Sequence, residues 1–397
     1  MDATVERSFT APPELSRLQR RALVVGVVAS LVAVAGLLWD RAHFFQAYLV
    51  AFLFWLAVAL GCFGLSMLHH LTRGAWGVMA RRTFEAAART LPLLLVLFLP
   101  LLLGLHDLYH WVEPGDDEIL QRKAAYLNVP FWAARAALYF AVWILIAWRL
   151  TRLSRRQDES GDPALFRRMQ AWSAVGFLAL ALTGTFAAID WLMSLDPHWF
   201  SSLFGLWFLA GMALSGLTFA IVVAFWLAQR EPMAGALQAH HFHDYGKLLL
   251  AFVMLWAYLS ISQLLLIWGA NLPEEIPFYL RRLGAGWELV SLALLLGHFA
   301  VPFLLLLSSD LKKRARTLVK VALWLLAVRW LDFYWHVAPT LQAQHGAAPH
   351  HLLTGLWLDL AAVLGMGGIW VWFFLSQLRQ RPLLPLRDPF LAEALRP

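Results

Sequence analysis

Arg329, Asp332 and His336 follow one another at intervals of three and four residues, so a helix sets all three side chains on one face. A guanidinium beside a carboxylate favours the charged carboxylate, and a carboxylate beside an imidazole favours its protonation. Such a trio makes a proton acceptor tunable near pH 7. Equally, Arg329 and Asp332 simply neutralise one another so that a buried charge becomes tolerable. Both readings stand on the residues alone. Further ionisable groups interrupt apolar stretches elsewhere: His106, Asp107 and His110, then Arg135, Asp190, Glu288, His298 and Asp359. Within a membrane span each such group is expensive and is a functional candidate by default.

Other chemistries find no residues here. There is one cysteine, Cys62, which leaves no intramolecular disulfide, CxxC pair, CxxCH haem attachment or thiolate set for an iron–sulfur cluster. No Gly-rich phosphate loop, HExxH, GxSxG or P-loop is present. A non-covalent haem needs two histidines at matching depth on different helices, and only His298 lies near mid-span, so none is expected. The stretch Ala239–Lys247, with His240, His241 and His243, is a metal candidate by composition. It reads more simply as a wet loop whose charge follows pH.

The elements that must position these groups follow from composition. Of 397 residues, 60% are hydrophobic and 14% charged, with a mean hydropathy of +0.63. A soluble domain carries about 25% charged residues. The apolar excess must face lipid, which excludes a soluble enzyme, a disordered chain and a disulfide-rich secreted domain. Ten apolar runs are long enough to cross a bilayer as helices: 22–38, 47–68, 90–109, 128–148, 169–193, 202–228, 248–269, 286–309, 317–337 and 351–378. Residues 1–21 form a polar N-terminal segment, whose Pro12-Pro13 and polarity read as no secretory signal. Residues 379–397 form a short tail that reads as needing a partner to order it.

Of the 32 Lys and Arg, 25 fall in or beside the N-terminus, the even-numbered loops and the C-terminus, against five in the odd-numbered loops. This bias places both termini in the cytoplasm and accounts for the net charge of +7 without nucleic acid. Runs such as Arg149–Arg168 and Lys312-Lys313-Arg314 read as solvated, topogenic surface. With that orientation, His106, Asp107, His110, Arg135, Asp190, Glu288, Arg329, Asp332, His336 and Asp359 lie toward the outer side. His69, His70 and Lys247 lie toward the inner side, with Tyr258, Ser262 and His298 between them as stepping stones for protons. The segments Asp107–Pro114 and Asp332–Pro339 share D-x-Y-x-x-V-x-P, a weak repeat in which each closing proline ends an outward helix.

An outward helix ending Asp190-Trp191, then Met193-Ser194-Leu195-Asp196-Pro197-His198-Trp199-Phe200-Ser201, then a Gly-rich inward helix, resembles the membrane F subunit of bacterial alternative complex III. That complex is a quinol:electron-acceptor oxidoreductase, and the subunit is similar to NrfD-like, polysulfide-reductase-type membrane subunits. The resemblance covers the chain in length, span count and topology. It implies an all-α fold of ten helices in the cytoplasmic (inner) membrane, with two four-helix bundles (spans two to five and six to nine) and spans one and ten peripheral. It implies as partners a sister NrfD-like C subunit, multihaem and monohaem cytochrome c subunits, an iron–sulfur subunit, other membrane subunits and a terminal oxidase. Haem and iron–sulfur clusters would then sit in partners, with quinone or quinol as the only small molecule to reach this chain.

Three functions are weighed. One is proton conduction with a quinol site, carried by Asp190, Asp332, His336 and Glu288 with Arg329 tuning Asp332. Another is a structural scaffold whose intramembrane charges only pair. The last is a secondary transporter, disfavoured because Pro92, Pro100 and Pro302 do not fall at matching places in two halves.

Overall fold

The computed structural model describes residues 9–284, 286–344 and 355–396. Residues 1–8 of the N-terminal segment and 351–354, the start of the tenth expected span, lie outside them. All regular structure among the described residues is helical. Ten long helices carry the fold: α1 Glu14–Leu37, α2 Arg41–Thr72, α3 Ala75–Leu108, α4 Val129–Ser160, α5 Pro163–Trp191, α6 Phe204–Ala228, α7 Ala239–Ala270, α8 Trp287–Leu307, α9 Ala315–Gln344 and α10 Leu356–Leu378. Among the described residues, all but α9 are long and apolar enough to cross a membrane, so the chain is an all-α membrane protein. α9 spans 30 residues, about 45 Å at 1.5 Å per residue, but Arg329, Asp332 and His336 dilute its apolar run.

Local chemistry sets the helix ends. Asp40, Asn128 and Asp162 each accept a hydrogen bond from a backbone N–H of the first turn of α2, α4 and α5, which satisfies donors that a helix start leaves free. Gly161 and Asn271 close α4 and α7 in the left-handed conformation. Pro302 has no N–H to offer the His298 carbonyl, and α8 absorbs the defect in a π turn over Leu295–Ala300.

α2 lies at the centre: 89% of its apolar stretch is buried within the protein, against 17% for α1. It packs on α6 so closely that a Cβ on Gly61 would stand 1.9 Å from the Met212 carbonyl oxygen, and one on Gly216 would stand 2.4 Å from the Cys62 nitrogen. Backbone therefore touches backbone, as small residues permit in membrane helices. α10 is not a rim helix like α1. It is held between α1 and α2, with Trp370 stacked on Trp55. Gly26 backs onto Gly368 and Gly36 onto Leu358, so α1 and α10 run antiparallel and both chain ends share one end of the molecule, here the terminal end.

At that end Arg152, Arg155, Arg156, Arg167 and Arg168 are exposed, but the solvated reading of the basic loops fails at Arg81, Arg82 and Lys312. α3 begins at Ala75, well before its apolar run, and its first turns bury Arg81, Arg82 and Glu85. α4 continues to Ser160 and buries Ser154 and Gln157. Arg81 donates to Glu85, Asp388, Ser154 and Gln157, while Arg82 reaches Glu85 at 2.7 Å and Asp158 at 2.5 Å. The C-terminal stretch needs no second chain for order. Leu383, Leu384 and Leu386 are buried, as is Asp388, the partner of Arg81. Likewise Lys312, in a run expected to be plain surface, is buried with its stem against Gly246.

Candidate functional site

α7, α8, α9 and the short helix Pro277–Leu283 leave a cavity of about 360 Å³ between them. Its wall is mostly apolar and aromatic, with Trp207, Trp256, Tyr279 and Trp335 prominent. Its rim includes Ile261, Leu264, Leu292 and Leu295, all exposed on the apolar flank of the bundle. A lipid-soluble molecule can therefore reach it from the side.

Few polar groups face this space, and most are already satisfied. Ser260 donates to the Trp256 carbonyl, the Trp335 indole donates to Ser291, and Ser291 donates to the Arg282 carbonyl. Asp332 is the exception. Its Oδ2 is paired with Arg329, which also donates to Ser215 at 3.2 Å, while its Oδ1 is buried with the Trp256 indole as its neighbour, short of a full hydrogen bond. The indole nitrogen of Trp207 is buried without a hydrogen bond as well. Buried polar atoms are nearly always hydrogen-bonded, so an underused acceptor and an unspent donor within the residues of one cavity wall mark that wall as a candidate place for a ligand with both kinds of group. Glu288 stands exposed on the cavity wall, its Oε2 accepting from the Gly286 N–H at 2.9 Å.

Arg329 has room because α6 presents a glycine to it. A Cβ on Gly211 would meet its guanidinium at 2.4 Å. Trp256 in turn is stacked on His298, ring centroids 3.7 Å apart, and both His298 ring nitrogens are buried without partners. Thus the π turn brings an imidazole against the cavity wall, the kind of place where such turns gather. His336 is less engaged than its spacing predicts. It lies 4.0 Å from Asp332, beyond hydrogen-bond reach, and packs against Trp207 and Phe204.

The remaining candidates stand apart from the cavity. Asp190 is fully buried and closed: Arg135 grips both oxygens at 2.8 Å and the Tyr139 hydroxyl donates at 2.7 Å. Asp359 is buried against His43 at 3.1 Å. Asp107 pairs with Arg41, His106 pairs with Glu113, and His110 is exposed. Toward the terminal end His69 and His70 are buried; His70 bonds Ser173 at 2.8 Å, and neither His69 ring nitrogen has a partner. Lys247 is exposed beside Asp244, Tyr258 is exposed, and Ser262 is half-buried. The structure gathers Arg329, Asp332, His336, His298 and Glu288 around one region and leaves the others scattered.

Two sequence expectations change here. The histidine-rich stretch is the first turn of α7, with His241 bonded to the Gln238 N–H and the Ala394 carbonyl; among the described residues no group of three or more potential ligands could hold a metal ion. The shared D-x-Y-x-x-V-x-P does not mark equivalent structure either. The helix ends at Leu108 in the first copy, whereas α9 runs through Pro339 to Gln344 in the second. Sequence reading passed over Trp207 and Trp256, since an indole on a cavity wall looks the same as any core tryptophan in a chain with 21. It also passed over Arg81, Arg82 and Glu85, although Arg82 and Glu85 at i,i+3 on a helix were a signal. Compared with known proteins, the chain matches no model of a protein family and no curated protein.

Proposed function

We propose that this chain is a membrane subunit of a respiratory quinol:electron-acceptor oxidoreductase of the alternative complex III type, and that quinol docks in the cavity bounded by α7, α8 and α9. Ten spans with both termini in the cytoplasm, arranged as two four-helix bundles, belong to the same proposal. So do cytochrome c and iron–sulfur partners, which hold every redox centre, and a place in the inner membrane. One observation carries the reading: a laterally open, aromatic cavity whose wall includes Asp332, with its Oδ1 short of a full hydrogen bond, and Trp207, with its indole N–H unspent.

A two-electron oxidation of quinol releases two protons, and each needs an acceptor within hydrogen-bond reach. Asp332 Oδ1 takes a hydroxyl proton from within the wall, with Arg329 fixing the carboxylate. Glu288, on the same wall and exposed, provides the second acceptor and the exit. The Trp207 indole donates to quinol oxygen, and the aromatic wall orients the ring. Electrons leave to a partner, because this chain offers no thiolate set and no histidine pair for a centre of its own.

The test has two parts. Affinity isolation of this chain from its membrane is expected to bring down c-type haem, and its absence refutes membership of such a complex. In the isolated complex, Asp332→Asn keeps an oxygen for Arg329 but loses the proton acceptor. A fall of about 10²-fold or more in quinol oxidation per complex is expected, the lower range of general base catalysis. A scaffold role is favoured at a different place, by the closed Asp190–Arg135–Tyr139 contact. Asp190→Asn is expected to lower the yield of intact complex with activity per complex unchanged. If Asp332→Asn behaves the same way, quinol chemistry leaves this subunit and only the scaffold remains.

A further inference from the structure

A second, larger cavity of about 500 Å³ lies at the terminal end, between α3 and α4. Its floor is apolar, from Pro92, Ile144 and Ala147, and its flank carries Trp148, which is half exposed among the outward-facing residues of α4. Its upper wall holds four guanidinium groups: Arg89, Arg152, Arg155 and Arg381.

The carboxylates nearby are already committed. Glu85 is bonded by Arg81 and Arg82, Asp158 by Arg82, and Glu159 by Arg155 on the exposed surface. Arg89 has only the neutral oxygen of Gln380, and Arg152 lies over the Trp148 ring at 5.3 Å. Arg381 enters from beyond α10, donates to the Thr151 carbonyl at 3.3 Å, and stands 3.5 Å from Glu85 with its Nη1 buried and without a hydrogen bond. Burial pulls the Arg381 guanidinium below its ordinary value in spite of Glu85, with Arg82 and Arg155 adding to the effect. Positive charge is in surplus around an open cavity, and the guanidinium of Arg381 is held there by no closer carboxylate than Glu85 at 3.5 Å.

We infer that this cavity binds the phosphate headgroup of an anionic phospholipid, with an acyl chain lying along Pro92, Ile144 and Trp148. The guanidinium fork suits phosphate oxygens. Membrane proteins use basic pockets between helices to hold acidic lipid headgroups. An apolar floor running out to the lipid-facing flank selects an esterified phosphate over a free one. The inference is independent of the quinol cavity, which shares none of these residues.

The experiment follows thermal unfolding of the purified full chain in neutral detergent, titrated with phosphatidylglycerol, phosphatidylcholine or sodium phosphate at constant ionic strength. A ligand of the folded state raises the melting temperature according to its affinity. Phosphatidylglycerol is expected to stabilise the protein well beyond the other two. The double variant Arg152→Gln/Arg155→Gln alters side chains outside the buried network, so its lipid-free melting temperature is expected to match the wild type. Its affinity for phosphatidylglycerol is expected to fall about thirtyfold, at about fivefold for each basic residue lost near anionic lipid. Equal stabilisation by phosphatidylcholine, equal stabilisation by sodium phosphate, or an unchanged affinity in the double variant each overturns the assignment.

Discussion

Replacing Asp190 by alanine strands Arg135, a buried guanidinium whose other contacts are the Tyr126 carbonyl and the faces of Tyr126 and Phe131. The carboxylate it loses was held by two guanidinium N–H groups and one phenol at 2.7–2.8 Å. Breaking a buried pair by removing one partner costs about 3–5 kcal/mol, because the survivor remains charged and desolvated. The lost phenol contact accounts for a known part. Tyr139→Phe removes one hydrogen bond to a charged group and is expected to cost about 1.5–3 kcal/mol. The double variant Arg135→Met/Asp190→Leu removes both charges at similar volume, so it is expected to lie much nearer to wild type than Asp190→Ala. Equilibrium unfolding of the purified chain in mixed micelles measures all three. A cost below about 1 kcal/mol for Asp190→Ala, or a double variant as unstable as the single ones combined, would show that Asp190 is not a structural lock.

Two further outcomes follow from packing elsewhere. Gly61→Ala drives a methyl group into the Met212 carbonyl, where neither backbone can yield without parting α2 from α6. A loss of at least the 1–3 kcal/mol or so typical of overpacking is expected, read as a lower midpoint in the same unfolding assay, while Gly269→Ala, with open space around it, serves as the silent control. Arg81→Ala unpairs the buried Asp388 and frees the C-terminal stretch, so limited proteolysis is expected to clip after Arg387 far faster than in wild type; an unaltered digestion pattern contradicts the buried network.

The helical architecture was legible because lipid imposes length and apolarity on every spanning helix, and those runs are written openly in the chain. Helix ends were not. α4 extends twelve residues past its apolar run and α3 begins fifteen residues before its own, since polar turns continue a helix outside oil as readily as they form a loop. The same ambiguity concealed the cluster of Arg81, Arg82 and Glu85. Counting positive charges gives orientation but cannot tell a solvated arginine from one satisfied by carboxylates 76 or 307 residues away. Within the site, the face shared by Arg329, Asp332 and His336 followed from spacing alone. What spacing could not supply was the direction of the cavity or the loss of the His336–Asp332 hydrogen bond. Both depend on the aromatic side chains that α6, α7 and α8 bring to that face.

Two buried acids show how one fold can give the same residue type opposite uses. Asp190 lies on α5 where α4 presents three donors, two from Arg135 and one from Tyr139, so both its oxygens are filled. Asp332 is paired within its own helix, at i,i+3, and an intrahelical partner reaches only one oxygen. The other lies within the cavity wall beside the Trp256 indole, short of a full hydrogen bond. An acid tied across helices holds them together and is closed to ligands. One tied within a single helix leaves its neighbours free to stand off, so the carboxylate in the cavity wall is also the one whose replacement by asparagine should disturb the scaffold least. Function and structure can therefore be separated experimentally at Asp332, which they cannot at Asp190.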